Sequence, residues 1–335
     1  MTLRRYLDQR LKLHHLRAVD AIVAQRSLMR ASTMLSLSQP ALTKTLHELE
    51  EITGQRLFTR LPRGVRPTEA GTLLAESARR ILAELRRLDE TFDRLSELGG
   101  GTVAIGTLPV AATGVLPGAL TRLTADHPGL HARLDQGRTE ELLPKLAAGE
   151  IDLIVGRLYD PAMPDGFSRE PLWEEPISIL ARTGHPVFHL AEITAAALRR
   201  YDLVLPTVSQ RVGQEIEGVL SLMDMAPTGS LRSSSYGFIR EMLHATDLIS
   251  VMPRLMMAGD LLRGTLRVVP LPVPAPPRPA GLILPRDRPL PPAGLAFVAC
   301  LRAHVAEIGQ RGLATITVGY GSVGESDRTG SAARA

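Results

Sequence analysis

The stretch from Ser27 to Arg66 reads SLMRASTMLSLSQPALTKTLHELEEITGQRLFTRLPRGVR and decides the fold of the N-terminal part of the chain. Ser27 is suited to cap a short helix, because its hydroxyl can accept a hydrogen bond from an unpaired backbone amide. After a tight turn, Ser38 can cap a second helix that has Pro40 in its first turn and Gly54 at its end. Two helices joined by so short a turn predict a helix-turn-helix, whose second helix can lie in the major groove of DNA.

The second helix carries leucines along one side and hydrogen-bonding side chains along the other. These polar groups are not required for packing a core, but they can form hydrogen bonds with base edges and phosphates. The predicted DNA contacts of this helix and its cap are Ser38, Gln39, Pro40, Thr43, Lys44 and His47. The alternative interpretation is a small helical core followed by a solvated basic loop.

A basic segment with a Pro/Gly turn follows this helix and predicts a wing. Its arginines, Arg60, Arg63 and Arg66, are expected to contact phosphates or the minor groove. Residues 1–66 hold 12 Lys/Arg against 5 Asp/Glu, whereas the net charge of the whole chain is only +4. The positive charge is therefore local, as a DNA-binding surface requires, and this argues against the solvated-loop alternative.

The same residues resemble the LysR-type transcriptional regulators. The matching positions are Ala31, Leu35, Ser38-Gln39-Pro40-Ala41-Leu42-Thr43-Lys44, Leu46, Leu49-Glu50, Gly54, Leu57-Phe58-Thr59-Arg60 and Pro67-Thr68-Glu69-Ala70-Gly71. The resemblance continues more loosely to about Gly312. It implies a winged helix-turn-helix followed by a two-lobed, periplasmic-binding-protein-like (type 2) domain that binds a small-molecule effector.

Three phrases resemble one subgroup of that family. They are Leu11-Lys12-Leu13-His14-His15-Leu16-Arg17, Arg63-Gly64-Val65 in the wing and Val155-Gly156-Arg157-Leu158. The subgroup includes regulators of sugar-binding-protein genes and of protocatechuate catabolism. The resemblance therefore implies a sugar or an aromatic acid as the effector, and RNA polymerase as a further partner.

A long helix is predicted after Thr68, which can act as its cap. Its apolar residues step by four and three, forming a seam of Leu74, Ala78, Ile81, Leu85, Leu88, Phe92 and Leu95. Such a narrow stripe favours a partner helix, so that the chain is expected to form a homodimer or homotetramer. Thirty helical residues would span about 45 Å and hold two recognition helices apart. Packing of the helix on its own domain is the alternative.

Composition limits the remaining possibilities. With 335 residues the chain can form two or three folding units. Its one cysteine, Cys300, lies in an apolar run and is expected to be a buried small hydrophobe, so a reducing, cytoplasmic location is predicted. Neither a signal peptide nor a membrane-spanning stretch is indicated.

Beyond a glycine hinge, short apolar runs alternate with amphipathic stretches, which predicts α/β architecture with a mainly parallel sheet. Strands are expected at 102–105, 130–134, 151–155, 176–182, 201–205, 230–234, 248–252, 266–271 and 281–284, and helices at 109–125, 139–148 and 292–308. The predicted domains are 11–67 for DNA binding, 68–98 for the linker helix, 99–101 for the hinge, 102–176 with 266–312 for lobe I, 177–265 for lobe II, and 313–335 for a disordered tail or loose strand.

Effector contacts are expected where strands end and helices begin, because unpaired amides and nearby hydroxyls bind carboxylates or sugar hydroxyls there. The predicted effector residues are Thr107, Leu108, Pro109, Arg157, Thr207, Ser209, Ser233, Ser234 and Ser235. The alternative is that the hydroxyls are only helix caps and that Arg157 is a surface residue.

Other motifs indicate little. Gly319–Gly324 matches GxGxxG but is followed by only a short tail, which leaves no room for the helix and acidic residue of a dinucleotide site. His14 and His15 have no cysteine or acidic partner at ligand spacing in the sequence, and no catalytic constellation stands out, so neither a cofactor nor catalysis is expected. Two rival functions remain: an enzyme or solute-binding module with an ancillary DNA part, and a ligand-blind architectural DNA-binding protein.

Overall fold

The computed structural model of the chain describes residues 7–62, 64–95, 101–159, 161, 164–207, 211–225 and 231–316. The chain divides into two compact units. Unit 1 comprises residues 1–106, 129–153 and 289–294, and unit 2 comprises residues 107–128, 154–288 and 295–335. The domain boundaries expected from the sequence stay a prediction.

Some sequence predictions lie outside the described residues. They concern Arg63, the side chain of Leu95, the hinge positions 99 and 100, Ser209, Ser230 and residues 317–335 with the GxGxxG match. Within the described residues, no helix has the length and apolar composition that crossing a bilayer requires.

Strands and helices alternate only in part, since three strands follow one another between residues 153 and 182 with no described helix between them. The described helices are α1 (Leu7–Arg10), α2 (Leu13–Gln25), α3 (Leu28–Met34), α4 (Gln39–Thr53), α5 (Glu69–Leu95), α6 (Pro109–Gly114), α7 (Leu116–Asp126), α8 (Thr139–Ala148), α9 (Ala195–Leu198), α10 (Arg211–Leu222), α11 (Tyr236–Ala245), α12 (Ala258–Arg263) and α13 (Pro292–Gln310). The described strands are β1 (Phe58–Leu61), β2 (Gly64–Pro67), β3 (Thr102–Thr107), β4 (His131–Gln136), β5 (Leu153–Arg157), β6 (Phe167–Glu174), β7 (Ile177–Arg182), β8 (Val204–Pro206), β9 (Leu231–Ser233), β10 (Ser250–Pro253), β11 (Leu266–Val268), β12 (Pro279–Pro285) and β13 (Thr315–Ile316).

In unit 1 the two helices of the predicted helix-turn-helix begin at their predicted caps. The Ser27 hydroxyl accepts a hydrogen bond from the Arg30 amide (3.4 Å), and the Ser38 hydroxyl accepts one from the Ala41 amide (3.3 Å). Gly54 ends α4 in the left-handed conformation with φ of 62°. Because each cap acts within a few residues of its own helix, local sequence was sufficient to predict both starts.

The core of unit 1 forms where α2, α3, α4 and the β1–β2 hairpin meet. Ala31 on α3 and Leu42 and Leu49 on α4 are fully buried in it. The small side chain of Ala31 lets α3 approach its neighbours closely. Burial of one leucine stabilises the fold by roughly 1.5–3 kcal/mol relative to exposure.

Thr68 ties the start of α5 to the segment between α4 and β1. Its hydroxyl donates to the Arg56 carbonyl (2.8 Å) and accepts from the Gly71 amide (3.1 Å), while its own amide donates to the Leu57 carbonyl (2.9 Å). A Cβ on Gly71 would lie 2.0 Å from the same Leu57 carbonyl oxygen. Only glycine therefore allows α5 to leave the domain at this point.

The seam predicted along α5 divides into two parts. Ala78 is fully buried in the core of unit 1, and Leu74 is partly buried against that core. The prediction that Ala78 contacts a partner chain is therefore wrong, because its surface is already covered. Ile81, Leu88 and Phe92 remain 43%, 49% and 59% exposed, and Leu85 is half-buried. Only the C-terminal part of α5 therefore keeps exposed apolar side chains that a partner chain could cover.

The sheets of unit 2 are less parallel than the sequence predicts. Strands follow the order β13–β6–β12–β5, and each pairing in that series is antiparallel. In a second sheet, β7 pairs antiparallel with both β10 and β11, whereas β8 and β9 pair in parallel. The expectation of a mainly parallel sheet is wrong for these strands, and β6 was not predicted at all. In unit 1, β3 and β4 are neighbours.

We expect Leu49→Ala to lower the free energy of unfolding by about 2–5 kcal/mol, because the substitution leaves a cavity at a fully buried site. Urea denaturation followed by circular dichroism measures the change. The matched control is Met29→Ala, at a side chain that is 65% exposed, where the change should stay within about 0.5 kcal/mol. Equal effects of the two substitutions would contradict the packing described for α4.

Candidate DNA-binding and effector sites

The first three turns of α4 line a shallow surface groove with five of the predicted DNA contacts. These are Gln39, Pro40, Thr43, Lys44 and His47. The Lys44 side chain is 81% exposed, with its ammonium 4.0 Å from the Glu48 carboxylate one turn along. The Thr43 hydroxyl donates to the Gln39 carbonyl (2.9 Å), so it can still accept a hydrogen bond. The groove thus combines amide, ammonium, imidazole and hydroxyl groups on one helix face.

The wing is an antiparallel hairpin fixed to the end of α2. The Val65 amide donates to the Arg26 carbonyl (3.0 Å), and a Cβ on Gly64, which has φ of 111°, would lie 2.4 Å from that oxygen. Arg60 and Arg66 are both exposed, but Arg60 pairs with Val65 and Arg66 with Thr59. Adjacent register positions point to opposite faces of a hairpin, so the two arginines present their charges in different directions.

Folding brings an acidic side chain to the His14–His15 pair that was not apparent in the sequence. Potential ligand atoms of His14, His15 and Glu48 lie within 4.8 Å of one another. However, the Nδ1 atom of His15 accepts a hydrogen bond from the Lys12 amide (3.2 Å), so its proton belongs on Nε2, which lies 3.6 Å from the Glu48 carboxylate. A metal at Nε2 would displace that proton and disrupt the Lys12 contact. The geometry therefore favours a His–Glu contact between α2 and α4.

The residues expected at the first effector position are largely occupied by the fold itself. Thr107 is buried, and its hydroxyl donates to the Leu108 carbonyl (3.2 Å). The Leu108 amide donates to the Val155 carbonyl of β5 (3.1 Å), and Pro109 begins the short α6. The prediction that the Thr107 hydroxyl faces a ligand is therefore wrong, since that group is enclosed.

The serines after β9 act mainly as caps. The Ser233 hydroxyl accepts from the Ser235 amide (3.0 Å), and the Ser235 hydroxyl accepts from the Phe238 amide (3.2 Å) at the start of α11. Ser234 is exposed. The Thr207 amide donates to the Ser233 carbonyl (3.2 Å), so the ends of β8 and β9 do come together. The capping alternative is thus the better interpretation for Ser233 and Ser235.

Arg157 is instead part of a buried cluster of charges. Its side chain is 12% exposed, and its guanidinium donates to the Pro277 carbonyl (3.3 and 3.4 Å). Across from it lies the Glu215 carboxylate of α10, at 3.9 Å, and the same carboxylate contacts the guanidinium of Arg278. The Arg278 side chain is 3% exposed, and that of Glu175 is fully buried 3.6 Å from it. Arg157 is therefore not a surface residue.

A third cation, Arg211, joins this cluster through an aromatic ring. The guanidinium of Arg211, at the start of α10, lies 4.0 Å from the centroid of the Tyr159 ring. The guanidinium of Arg157 lies 5.4 Å from the same centroid. Both distances are within the range of cation–π attraction, which holds two positive groups around one ring.

The protonation of Glu175 is set by its burial. Removal from water raises the pKa of its carboxyl to about 7, although Arg278 and Arg157 oppose the rise. Both of its oxygens lack a hydrogen-bond partner among the described residues, as do the Nε atoms of Arg157 and Arg278. Burial likewise lowers the pKa of Arg278. Buried polar groups are normally paired, so this cluster is an exception that needs an explanation.

Sequence reasoning found Arg157 but missed Glu175, Glu215 and Arg278. For two of these residues, the sequence context could have indicated a buried charge. Glu175 stands between the apolar cores of β6 and β7, and Arg278 interrupts a run of prolines directly before β12. Nothing in the local sequence of α10 distinguishes Glu215 from the other charged residues of an amphipathic helix.

Comparison with known families bears on both sites. The family profile described as "LysR substrate binding domain" matches residues 96–306, and the one described as "Bacterial regulatory helix-turn-helix protein, lysR family" matches residues 13–72. The chain belongs to the LysR family. This confirms the resemblance read from the sequence and the expected fold class, a helix-turn-helix followed by an α/β effector domain. As a LysR-type protein, the chain is a DNA-binding transcriptional regulator.

Two curated relatives span most of the LysR-type chain. It is 31% identical over 267 residues to the HTH-type transcriptional regulator PcaQ of Agrobacterium fabrum, covering 79% of this chain and 86% of PcaQ. It is 31% identical over 300 residues to the HTH-type transcriptional regulator GbpR of Azospirillum brasilense, covering 89% of this chain and 88% of GbpR.

A solved structure shows the same LysR-type fold. Full-length CbnR complexed with its target DNA has a TM-score of 0.60, and the match covers 88% of this chain and 100% of that chain. The sequences are 20% identical, so the likeness concerns the fold alone.

We expect Glu175→Gln to flatten the pH dependence of stability in this LysR-type protein. Because the folded-state pKa is raised to about 7 from 4.5, the stabilisation associated with the protonated carboxyl is fully present below pH 4.5 and is lost as pH rises through 7. The loss should be on the order of 2 kcal/mol between pH 5 and pH 8 and absent in the glutamine variant. Thermal melting across this range measures it.

The matched control for this measurement is Glu217→Gln, which removes a carboxylate that is 34% exposed on the same helix as Glu215. It should leave the pH dependence as in the wild type. A Glu175→Gln variant with an unchanged pH profile would mean that Glu175 is ionised in the folded protein at neutral pH.

Proposed function

We propose that this LysR-type regulator is a homo-oligomer that reads a specific DNA sequence with α4 and the wing and responds to a small molecule bound in unit 2. The observation that carries the DNA part is the polar groove at the start of α4, formed by Gln39, Thr43, Lys44 and His47 beside Pro40. These groups offer the donors and acceptors that base edges in the major groove distinguish.

The roles within this DNA surface follow from side-chain chemistry. Gln39 lies at the N-terminal end of α4, where a recognition helix meets base edges, and its amide can pair with adenine in a bidentate manner. Lys44 is a long, exposed cation suited to a phosphate. Arg60 and Arg66 in the wing are exposed as well, and their different directions suit contacts with different parts of the backbone.

The apolar C-terminal part of α5 supports the homo-oligomer. Ile81, Leu88 and Phe92 lie seven and four residues apart along one face and remain largely exposed. An exposed stripe of this kind is normally covered by a second helix. The simplest partner is α5 of a second copy, which would hold two copies of α4 apart for two half-sites.

The effector part of the proposal rests on unit 2, where buried polar groups of the Arg157–Arg278 cluster lack hydrogen-bond partners among the described residues. The sequence resemblance leaves a sugar and an aromatic acid open as effector classes. A regulator of this kind acts with RNA polymerase in the cytoplasm and catalyses no reaction itself. An architectural DNA-binding protein that binds no effector does not require a cluster of buried charges, so the cluster favours the regulator over that rival function.

We expect Arg66→Ala and Gln39→Ala to weaken DNA binding in different ways. Loss of one phosphate contact should weaken binding to all duplexes and reduce the slope of log K against log salt by about one. Loss of one bidentate base contact should cost about 1–3 kcal/mol at a single base pair and leave the slope unchanged. Duplexes selected from a random pool by the wild type serve as ligands in gel-shift titrations.

Arg302→Ala, at an arginine on α13 that is 55% exposed, is the charge-matched control for Arg66→Ala. It should leave the salt slope unchanged. An Arg66→Ala variant with the wild-type slope would remove that arginine from the DNA surface, and unchanged base preference in Gln39→Ala would do the same for Gln39.

We expect Leu88→Glu to dissociate the oligomer, because a carboxylate cannot be buried unpaired in an apolar helix interface. Sedimentation equilibrium at micromolar concentration should give the mass of a single chain, and affinity for selected DNA should fall by more than about tenfold as two half-sites are no longer bound together. The control is Leu222→Glu, at a leucine that is 73% exposed on α10. An unchanged mass for Leu88→Glu would exclude this face of α5 from the oligomer.

A further inference from the structure

The buried charges of unit 2 converge from four separate elements. Arg157 ends β5, Glu175 follows β6, Arg278 precedes β12, and Glu215 lies one turn after Arg211 on α10. The strand residues Glu175 and Arg278 are held to each other, since the Glu175 amide donates to the Arg278 carbonyl (2.9 Å). Arg157 pairs with Ala280 of β12, and its guanidinium donates to the Pro277 carbonyl. Arg157 therefore lies beside Arg278, and Glu215 approaches both arginines from a helix.

Glu215 lies at the accessible side of this pair. Its side chain is 22% exposed, whereas the side chains of Arg157 and Arg278 are 12% and 3% exposed. The side chain of Glu215 is thus the most exposed of the three, although its Oε2 atom is buried against Arg278. A carboxylate from outside would meet the same two guanidinium groups if Glu215 moved aside.

The sum of charges favours such an exchange. Arg157, Arg211 and Arg278 carry three positive charges, whereas the described carboxylates that pair with these guanidinium groups, Glu175 and Glu215, carry at most two negative ones. The Nε atoms of Arg157 and Arg278 have no hydrogen-bond partner among the described residues. A pair of buried guanidinium groups with unused donors binds planar carboxylates well, because each fork can donate two parallel hydrogen bonds.

Resting on the regulator function proposed above, we propose that Arg157 and Arg278 bind the carboxylate of the effector, whose place Glu215 occupies when no effector is bound. The effector is then a small carboxylic acid and not a neutral sugar, because an uncharged ligand that displaced Glu215 would remove one of the two described carboxylates that pair with these arginines. Binding would also release the contact between α10 and the strands.

The test replaces the internal carboxylate with a free one. Glu215→Ala removes the terminal CH2–COO⁻ group and leaves room for the carboxylate end of propionate, whose three carbons equal those of the whole glutamate side chain. We expect 100 mM sodium propionate to raise the Tm of full-length Glu215→Ala by about 3 °C more than sodium chloride does. It should also change the affinity of this variant for selected DNA by about fivefold, as coupling between two sites requires.

Three controls define the site. The wild type and Glu215→Gln keep the space filled and should not respond to propionate. Glu217→Ala removes a neighbouring carboxylate that pairs with Arg232 and should not respond either. The double variant Glu215→Ala/Arg157→Met lacks one of the two cations and should lose the response.

Each outcome decides the proposal. A propionate effect on Glu215→Ala that is no larger than that of chloride overturns it, and so does stabilisation without any change in DNA affinity. If Glu215→Ala does not fold alone, recovery of folded protein on dilution into propionate supports the proposal, and failure to recover counts against it. DNA selection by the wild type tests the regulator function separately, since that function can hold when the carboxylate site does not.

Discussion

The burial of the Arg278 guanidinium is the constraint on which the arrangement of unit 2 depends. An isolated ion of this size loses several kcal/mol of hydration in a protein interior, so it must be matched by carboxylates that are close by. The backbone of the strand ends holds these groups together, because the Arg278 amide donates to the Glu174 carboxylate (2.6 Å) and the Arg278 carbonyl accepts from the Glu175 amide (2.9 Å). The Glu175 carboxylate then lies 3.6 Å from the guanidinium. The ends of β6 and β12 cannot separate without exposing or isolating that charge.

Prediction from the sequence succeeded where the deciding interactions are local. Helix α8 spans Thr139–Ala148 and α13 begins at Pro292, both as expected from caps and glycine or proline positions. The start of α4 was equally predictable, because the Ser38 cap bonds to an amide only three residues away. The polar face of that helix follows from the same periodicity, so the groove at the start of α4 could be predicted, whereas the direction of each described wing arginine could not.

The parts that could not be predicted depend on contacts between distant residues. Arg278 and Glu174 are 104 residues apart in sequence and meet only because β12 pairs antiparallel with β6. Along α5 the periodic pattern was read correctly, but periodicity cannot tell which apolar residue meets the chain's own core. The fully buried Ala78 and the exposed Phe92 belong to one stripe and differ only in what folds against them.

A carboxylate already present beside Arg157 and Arg278 also affects which ligands can act. A ligand shifts an equilibrium only by the difference between its affinities for the two states. Because Glu215 is part of the chain, its effective concentration at the arginines is high, and a simple acid at cellular concentration gains little by replacing it. An effector must therefore bring contacts beyond its carboxylate, and those contacts, not the charge, would distinguish it from other acids in the cell.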